Sequence, residues 1–217
     1  MPMPMPDFQS GIIFIMKIDL HNHSFYSEDS SLNPDEAIER AIELGFDGIA
    51  FTEHNSFEAS EPVERLREKY EGRFLILRGA EYNAAEGHML VFGIKKDIFI
   101  NGGLYAPIVE MVRIVNESGG VVIVPHPFRE WSLLNADIKK IPGIHAIETY
   151  NGHNNEAENE KAVEVASALG LPTTGGSDAH HLHEVGCCYT EFFSRITADN
   201  FLDSLRTGNY RGHLLRA

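Results

Sequence analysis

The sequence predicts an α/β barrel, and three observations carry that reading. Apolar, strand-like runs alternate with helical stretches along the chain. About seven such units occupy roughly 200 residues, which suits closure into a barrel better than an open sheet. No internal repeat and no linker rich in Pro, Gly or Ser interrupts the 217 residues, so one domain is expected.

The chain opens MPMPMPDFQSGIIFIMK. Its Met/Pro repeat disfavours regular structure. The apolar stretch from Gly11 to Met16 is too short for a signal segment and follows no basic region. Residues 1–15 are expected to be a disordered N-terminal extension, with Met16 as the natural start and 16–217 as the barrel. Phe14–Leu20 then reads as the first strand. Asn33 is placed to cap a helix with Pro34 at its first position and Glu36 at its third, ending at Leu44 before Gly45. Asp47–Phe51 is the second strand. Ser60 is a candidate cap for a helix over Glu61–Tyr70.

Phe74–Gly79 and His88–Ile94 are strands with no room for a helix between them. Leu104–Ser118 places Ile108, Met111, Val112 and Val115 at helical spacing. The continuous run Val121–Val124 suits a strand buried on both faces. Ile144–Thr149 is a strand, Glu156–Leu169 a helix ended by Gly170, and Pro172–Thr174 a short strand. Cys187–Phe193 is a strand, Thr197 caps a last helix over Ala198–Arg206, and Tyr210–Leu215 adds an edge strand. Repeated strand–helix units imply a mainly parallel sheet.

Composition excludes some functions. Net charge is −14, with 43% hydrophobic and 23% charged residues. Long nucleic acid is disfavoured, because phosphate backbones select basic surfaces. No run of about 18 apolar residues offers a membrane span. The two cysteines, Cys187 and Cys188, are adjacent and form no disulfide framework. They are read as packing residues of a reduced, cytoplasmic protein.

Chemistry-bearing residues collect where a barrel gathers its chemistry, at the C-terminal ends of strands. Asp19-Leu20-His21-Asn22-His23 closes the first strand, and residues two apart face one way. His54 closes the second strand, Glu81 the third, and His126, within Pro125-His126-Pro127, closes Val121–Val124. Asp178 and His180 follow the strand at 172–174 through Gly175-Gly176. His88 opens a strand instead. Taken singly, each reads equally well as a loop or packing residue; together they match a site for more than one metal ion.

The segments DLHNHSFYSED, TEHN, GAE, GHMLVFG, VPHP and GGSDAH, in this order over residues 19–180, resemble the polymerase and histidinol phosphatase (PHP) family. The segment IETYNG resembles the stand-alone members. The resemblance implies a distorted seven-stranded α/β barrel and a metal-dependent phosphoesterase with two or three divalent ions, Zn, Mn or Fe. It implies that His21, His23, Glu81 and Asp178 hold a first ion. Glu81, His88 and His126 would hold a second. His54, His180 and a carboxylate would hold a third. That carboxylate is Asp29 or its neighbour Glu28, with Asp29 preferred.

The expected reaction is in-line attack on a small phosphorylated metabolite or nucleotide by water bridging two ions. His180 or His54 would protonate the leaving group when the third site is empty, and Arg129 would grip phosphate by a two-pronged contact. Asn151 and His153 are candidates to face the pocket. His181 and His183 are read as spare polar residues, His145 and His213 as structural or exposed, and Trp131 as packing more readily than stacking. Asp19 either orients a ligand histidine or only ends its strand. The alternatives are a metallohydrolase of C–N bonds and a non-catalytic metal-binding or regulatory module.

Overall fold

A computed structural model describes residues 14–99, 106–130, 134 and 137–215. Most of the N-terminal extension, Trp131 and the start of the helix expected from Leu104 lie outside the described residues. Among the described residues nine strands form one sheet: β1 (Met16–Asp19), β2 (Gly48–His54), β3 (Leu75–Asn83), β4 (His88–Phe92), β5 (Val121–Val124), β6 (Ala146–Asn151), β7 (Thr173–Gly176), β8 (Cys188–Phe192) and β9 (Tyr210–Leu214). Their order is β7-β6-β5-β4-β3-β2-β1-β8-β9. The α-helices described with them are α1 (Pro34–Glu43), α2 (Glu64–Lys69), α3 (Ile108–Glu117), α4 (Glu156–Leu169) and α5 (Phe201–Thr207).

The sheet curls until its ends meet. Just beyond the C-terminal ends of β1 and β7, Asn22 bridges Ala179 in parallel, His23 N donates to Ala179 O (2.9 Å) and Asp178 N to His21 O (2.7 Å). Lower down, the β8–β9 hairpin wedges between β1 and β7. It needs glycine there: a Cβ on Gly212 would lie 2.2 Å from Thr174 O. The result is a nearly closed, distorted barrel, as the sequence implies.

The expectation of a mainly parallel sheet needs correction at two strands, β4 and β8. β4 runs antiparallel to both β3 and β5, and β8 runs antiparallel to both β1 and β9. A turn of four residues between Asn83 and His88 leaves no crossover helix, so the chain must reverse. The reversal matters for function, because it brings the N-terminal end of β4, and His88, to the rim that carries the C-terminal ends of β2, β3 and β5.

Local signals hold where tertiary contacts do not compete. Asn33 Oδ1 accepts from Asp35 N at 3.0 Å and caps α1, which buries Pro34, Ala37, Ile38 and Ala41. α3 buries Ile108, Met111, Val112 and Val115, as its spacing predicts. Ser60 does not cap a helix: its hydroxyl donates to Phe57 O and accepts from Arg78 Nε, and a 3₁₀ turn over Glu58–Val63 leads into α2. Thr197 caps only a turn, exchanging bonds with Asn200, and α5 begins at Phe201.

One apolar cluster takes Ile18, Ala50, Leu77, Leu90, Ile123, Ala146 and Phe192 from seven strands, and it fills the barrel. Two further clusters lie between strands and helices. Residues alternate along a strand, so the inward face of β3 runs Leu77, Gly79, Glu81 and that of β6 runs Ala146, Glu148. The barrel core thus gives way to carboxylates at the rim.

Candidate metal centre

Donor atoms of His21, His23, Glu81 and Asp178 all lie within 4.8 Å of one another, and all four residues are buried. His21 Nε2 and His23 Nε2 face each other at 3.1 Å. Asp178 Oδ1 sits 3.3 and 3.1 Å from these two nitrogens, and Glu81 Oε2 sits 3.5 and 3.3 Å away. A second group shares Glu81: its Oε1 lies 3.0 Å from His88 Nδ1 and 2.9 Å from His126 Nε2. His23, His54 and His180 make a third. Asp29 Oδ2 stands 3.1 Å from His54 Nε2 and 3.6 Å from His180 Nε2. Glu28 lines the same pocket.

The donor set fits divalent ions. It consists of imidazole nitrogens and carboxylate oxygens, with no thiolate. His23 Nδ1 and His54 Nδ1 are buried without a hydrogen bond, although His54 Nδ1 is 3.2 Å from Glu81 Oε2. Buried polar atoms rarely go unpaired without a reason.

Electrostatics bind the ion-free cluster together. Burial pushes the Glu81 and Asp178 carboxyls up, but the histidines around them, His21 first, hold both well below the usual range. Burial pushes His21 and His23 down, and the neighbouring carboxylates more than offset it, raising His21 well above its ordinary value and His23 to about 9. Burial prevails at His126 and His180, which are lowered.

Backbone strain marks the same place. His126 and Asp178 have φ of 28° and 54°, in the left-handed region. The Asp178 carbonyl is held by two imidazole N–H groups, His180 Nδ1 at 2.8 Å and His153 Nε2 at 3.0 Å.

Arg129 is 3% exposed. Its Nη2 donates to Asp178 Oδ2 and Asn151 Oδ1, both at 2.5 Å, and Nε donates to Asn154 Oδ1 at 3.2 Å. A cavity of about 920 Å³ opens over the cluster, lined among others by Tyr26, Glu28, Asp29, Arg129, His153 and Glu184. His153 therefore faces it, while Asn151 lies beneath it against Asp178. His181 lines the rim and contacts Ser31 Oγ at 2.8 Å, and His183 is exposed. His145 accepts from Val122 N, and His213 pairs with Glu191 at 3.2 Å. Cys187 and Cys188 are free thiols, half-buried and buried.

Asp19 bonds His21 through the main chain rather than through the imidazole. Its carboxylate accepts main-chain N–H groups of Ser177 (2.9 Å), His21 (3.3 Å) and Gly186 (3.3 Å), tying the loop after β7 to β1. Burial raises its pKa to about 6 against those bonds.

Two residues escaped the sequence reading. Glu53 accepts from Ser24 N, Ser24 Oγ (2.5 Å) and Ser27 Oγ (2.6 Å), and so shapes the loop that carries Asp29. Glu148 contacts His21 Nδ1 at 3.1 Å. A charged residue in the otherwise apolar start of β6 is the signal that could have found it.

Comparison with known proteins agrees with this architecture. The family model of the PHP domain matches residues 19–124, and the model described as PHP-associated matches residues 156–210. PsfC from Pseudomonas syringae superposes with a TM-score of 0.73 at 21% identity, covering 93% of this chain and 92% of that one. A two-domain protein from Bacteroides vulgatus, described as containing a predicted PHP-like metal-dependent phosphoesterase, gives 0.72 at 18% identity over 98% of this chain and 69% of that one. Endonuclease Q, in complex with a 27-mer duplex bearing an abasic lesion, gives 0.70 at 17% identity over 91% and 58%. Identities this low speak to fold. Matched by the PHP-domain and PHP-associated models over most of its length, the chain belongs to the PHP family.

Proposed function

We propose that the chain hydrolyses a phosphate ester of a small metabolite or nucleotide. As a PHP-family protein it is a metal-dependent hydrolase; the substrate and the residue roles are the proposed part. The observation that carries the reading is Glu81, one buried carboxylate whose two oxygens face two different groups of histidines.

His21, His23, Glu81 and Asp178 would hold one divalent ion, Glu81, His88 and His126 a second, and His54, His180 and Asp29 a third. Such ions would supply a water acidified to a pKa of about 7 and positive charge for the phosphoryl oxygens. Arg129, fixed by Asp178, Asn151 and Asn154, brings the one guanidinium among the described lining residues to the pocket wall and binds a phosphate oxygen there. A carbonyl only accepts, so His180 carries its proton on Nδ1, facing Asp178 O, and turns Nε2 to the pocket. With the third site empty, His180 must first take a second proton at Nε2; that N–H, or one on His54 Nε2 beside Asp29, then passes to the leaving oxygen.

The pocket suits a small molecule in volume. Glu28, Asp29 and Glu184 on its wall repel a long phosphate backbone.

The test is a panel run on metal-loaded protein: an aryl phosphate, mono- and bisphosphorylated nucleotides, histidinol phosphate and simple amides. Phosphate release that falls at least about 10²-fold in Asp178→Asn and Glu81→Gln is expected. Amide turnover alone, or no turnover at full metal occupancy, refutes the proposal.

A further inference from the structure

Glu148 is fully buried on β6. Its Oε1 lies 3.1 Å from His21 Nδ1. Its Oε2 accepts the His126 backbone N–H at 3.2 Å and Asn151 Nδ2 at 2.8 Å. One carboxylate therefore touches a histidine of the first donor group and the strained main chain beneath a histidine of the second. It belongs to neither group of converging donor atoms.

The surroundings are shaped around it. The pairing of β6 with β7 shifts register between Glu148 and Tyr150, an irregularity of the kind that re-aims side chains beside sites. On β7, across from Asn151, stands Gly176, where a Cβ would come within 2.7 Å of Glu148 Oε1 and 2.3 Å of His21 Cβ. Only glycine leaves room for the carboxylate and the imidazole to meet.

We infer that Glu148 is a positioning residue that couples the first two ion sites. Its Oε1 accepts the hydrogen bond of His21 Nδ1–H, which leaves the Nε2 lone pair facing His23, Glu81 and Asp178. Its Oε2 holds the His126 N–H, so the backbone at φ 28° keeps the His126 ring against Glu81. Partners behind a ligand histidine commonly change metal affinity by about 10–100-fold. Because one side chain serves both groups, its loss lowers affinity at both sites together.

This inference rests on the metal-binding reading above. Glu148→Gln preserves size but cannot serve both ends: with its oxygen toward His21, its NH₂ meets two donors, His126 N–H and Asn151 Nδ2. Glu148→Asp keeps the charge and withdraws it by one methylene, so it serves as the second variant if the glutamine protein does not fold. Zn²⁺ affinity is measured by competition with a chelating dye, and bound ions per chain by elemental analysis after dialysis. Folding of each variant is checked by circular dichroism.

The expected result is a folded variant whose affinity falls about 10–100-fold for both of the first two ions. Unchanged affinity and ion count in a folded variant overturn the coupling. So does a loss confined to one ion with the other bound as in wild type. Wild-type protein that takes up no Zn²⁺ overturns the metal-binding reading itself, which separates the two failures.

Discussion

Removing the ions and raising the pH should weaken the fold, and the size of the effect follows from the first donor group. In the ion-free cluster His23 titrates at about 9 rather than 6.5, despite complete burial, because Asp178 and Glu81 face it. A histidine held above its unfolded value contributes stability that is complete below pH 6.5 and disappears as pH rises through about 9. That gap is worth about 3 kcal/mol for this one group. The depressed Glu81 and Asp178 report the same interaction from the other side: their contribution is present above 4.5 and 3.8 and disappears as pH falls below those values. Asp19, raised to about 6, loses its own contribution between 3.8 and about 6, before the histidine limb begins.

At about 2.1 cal/mol/K per residue, unfolding 217 residues carries about 0.46 kcal/mol/K. The melting temperature of chelator-treated protein should therefore fall by about 7 °C between pH 6.5 and 9.5. With Zn²⁺ present the trend reverses, because imidazoles bind metal only when unprotonated, and the gap between loaded and ion-free melts widens with pH. Differential scanning calorimetry with and without chelator measures both curves. An ion-free melting temperature that stays flat or rises over this range refutes the charge assignment at His23.

Three further outcomes are expected. Gly176→Ala should cost about 1–3 kcal/mol by overpacking against His21 and Glu148, read as a lower urea midpoint, and should reduce the ions retained. Arg129→Lys keeps a positive charge but cannot reproduce the contacts to Asp178, Asn151 and Asn154; steady-state kinetics should show phosphate release at least about tenfold less efficient. Asp29→Ala should lower the ion count by one in elemental analysis, whereas Glu28→Ala should leave it unchanged; the reverse pattern would reassign the third site.

The barrel and most of the rim were legible because they rest on local rules. Period-two alternation and strand ends placed His21, Glu81, His126 and Asp178 together before any coordinates. His88 fitted less well, since direction along a strand is not written in its hydrophobic pattern; only the short gap after Asn83 hinted at the hairpin. Ser60 looked like a cap, yet Arg78 from β3 claims its hydroxyl, a contact eighteen positions away. Asp19 and Glu148 were opaque for the same reason. Their partners, Ser177, Gly186, His21 and His126, reach them only through the folded topology.

The reversed strand also sets an order of assembly. Glu81 and His88 stand on one hairpin, seven residues apart, and hairpins close in about 1–10 μs. His21 meets Asp178 only when the first and seventh strands join, across a separation like the 158 residues between Asp19 and Ser177. Contacts so distant along the chain come late, since their loop entropy must be offset first. Glu81 and His88 are thus local and early, and the first donor group waits for the ring to shut, so ligand geometry doubles as a readout of completed folding.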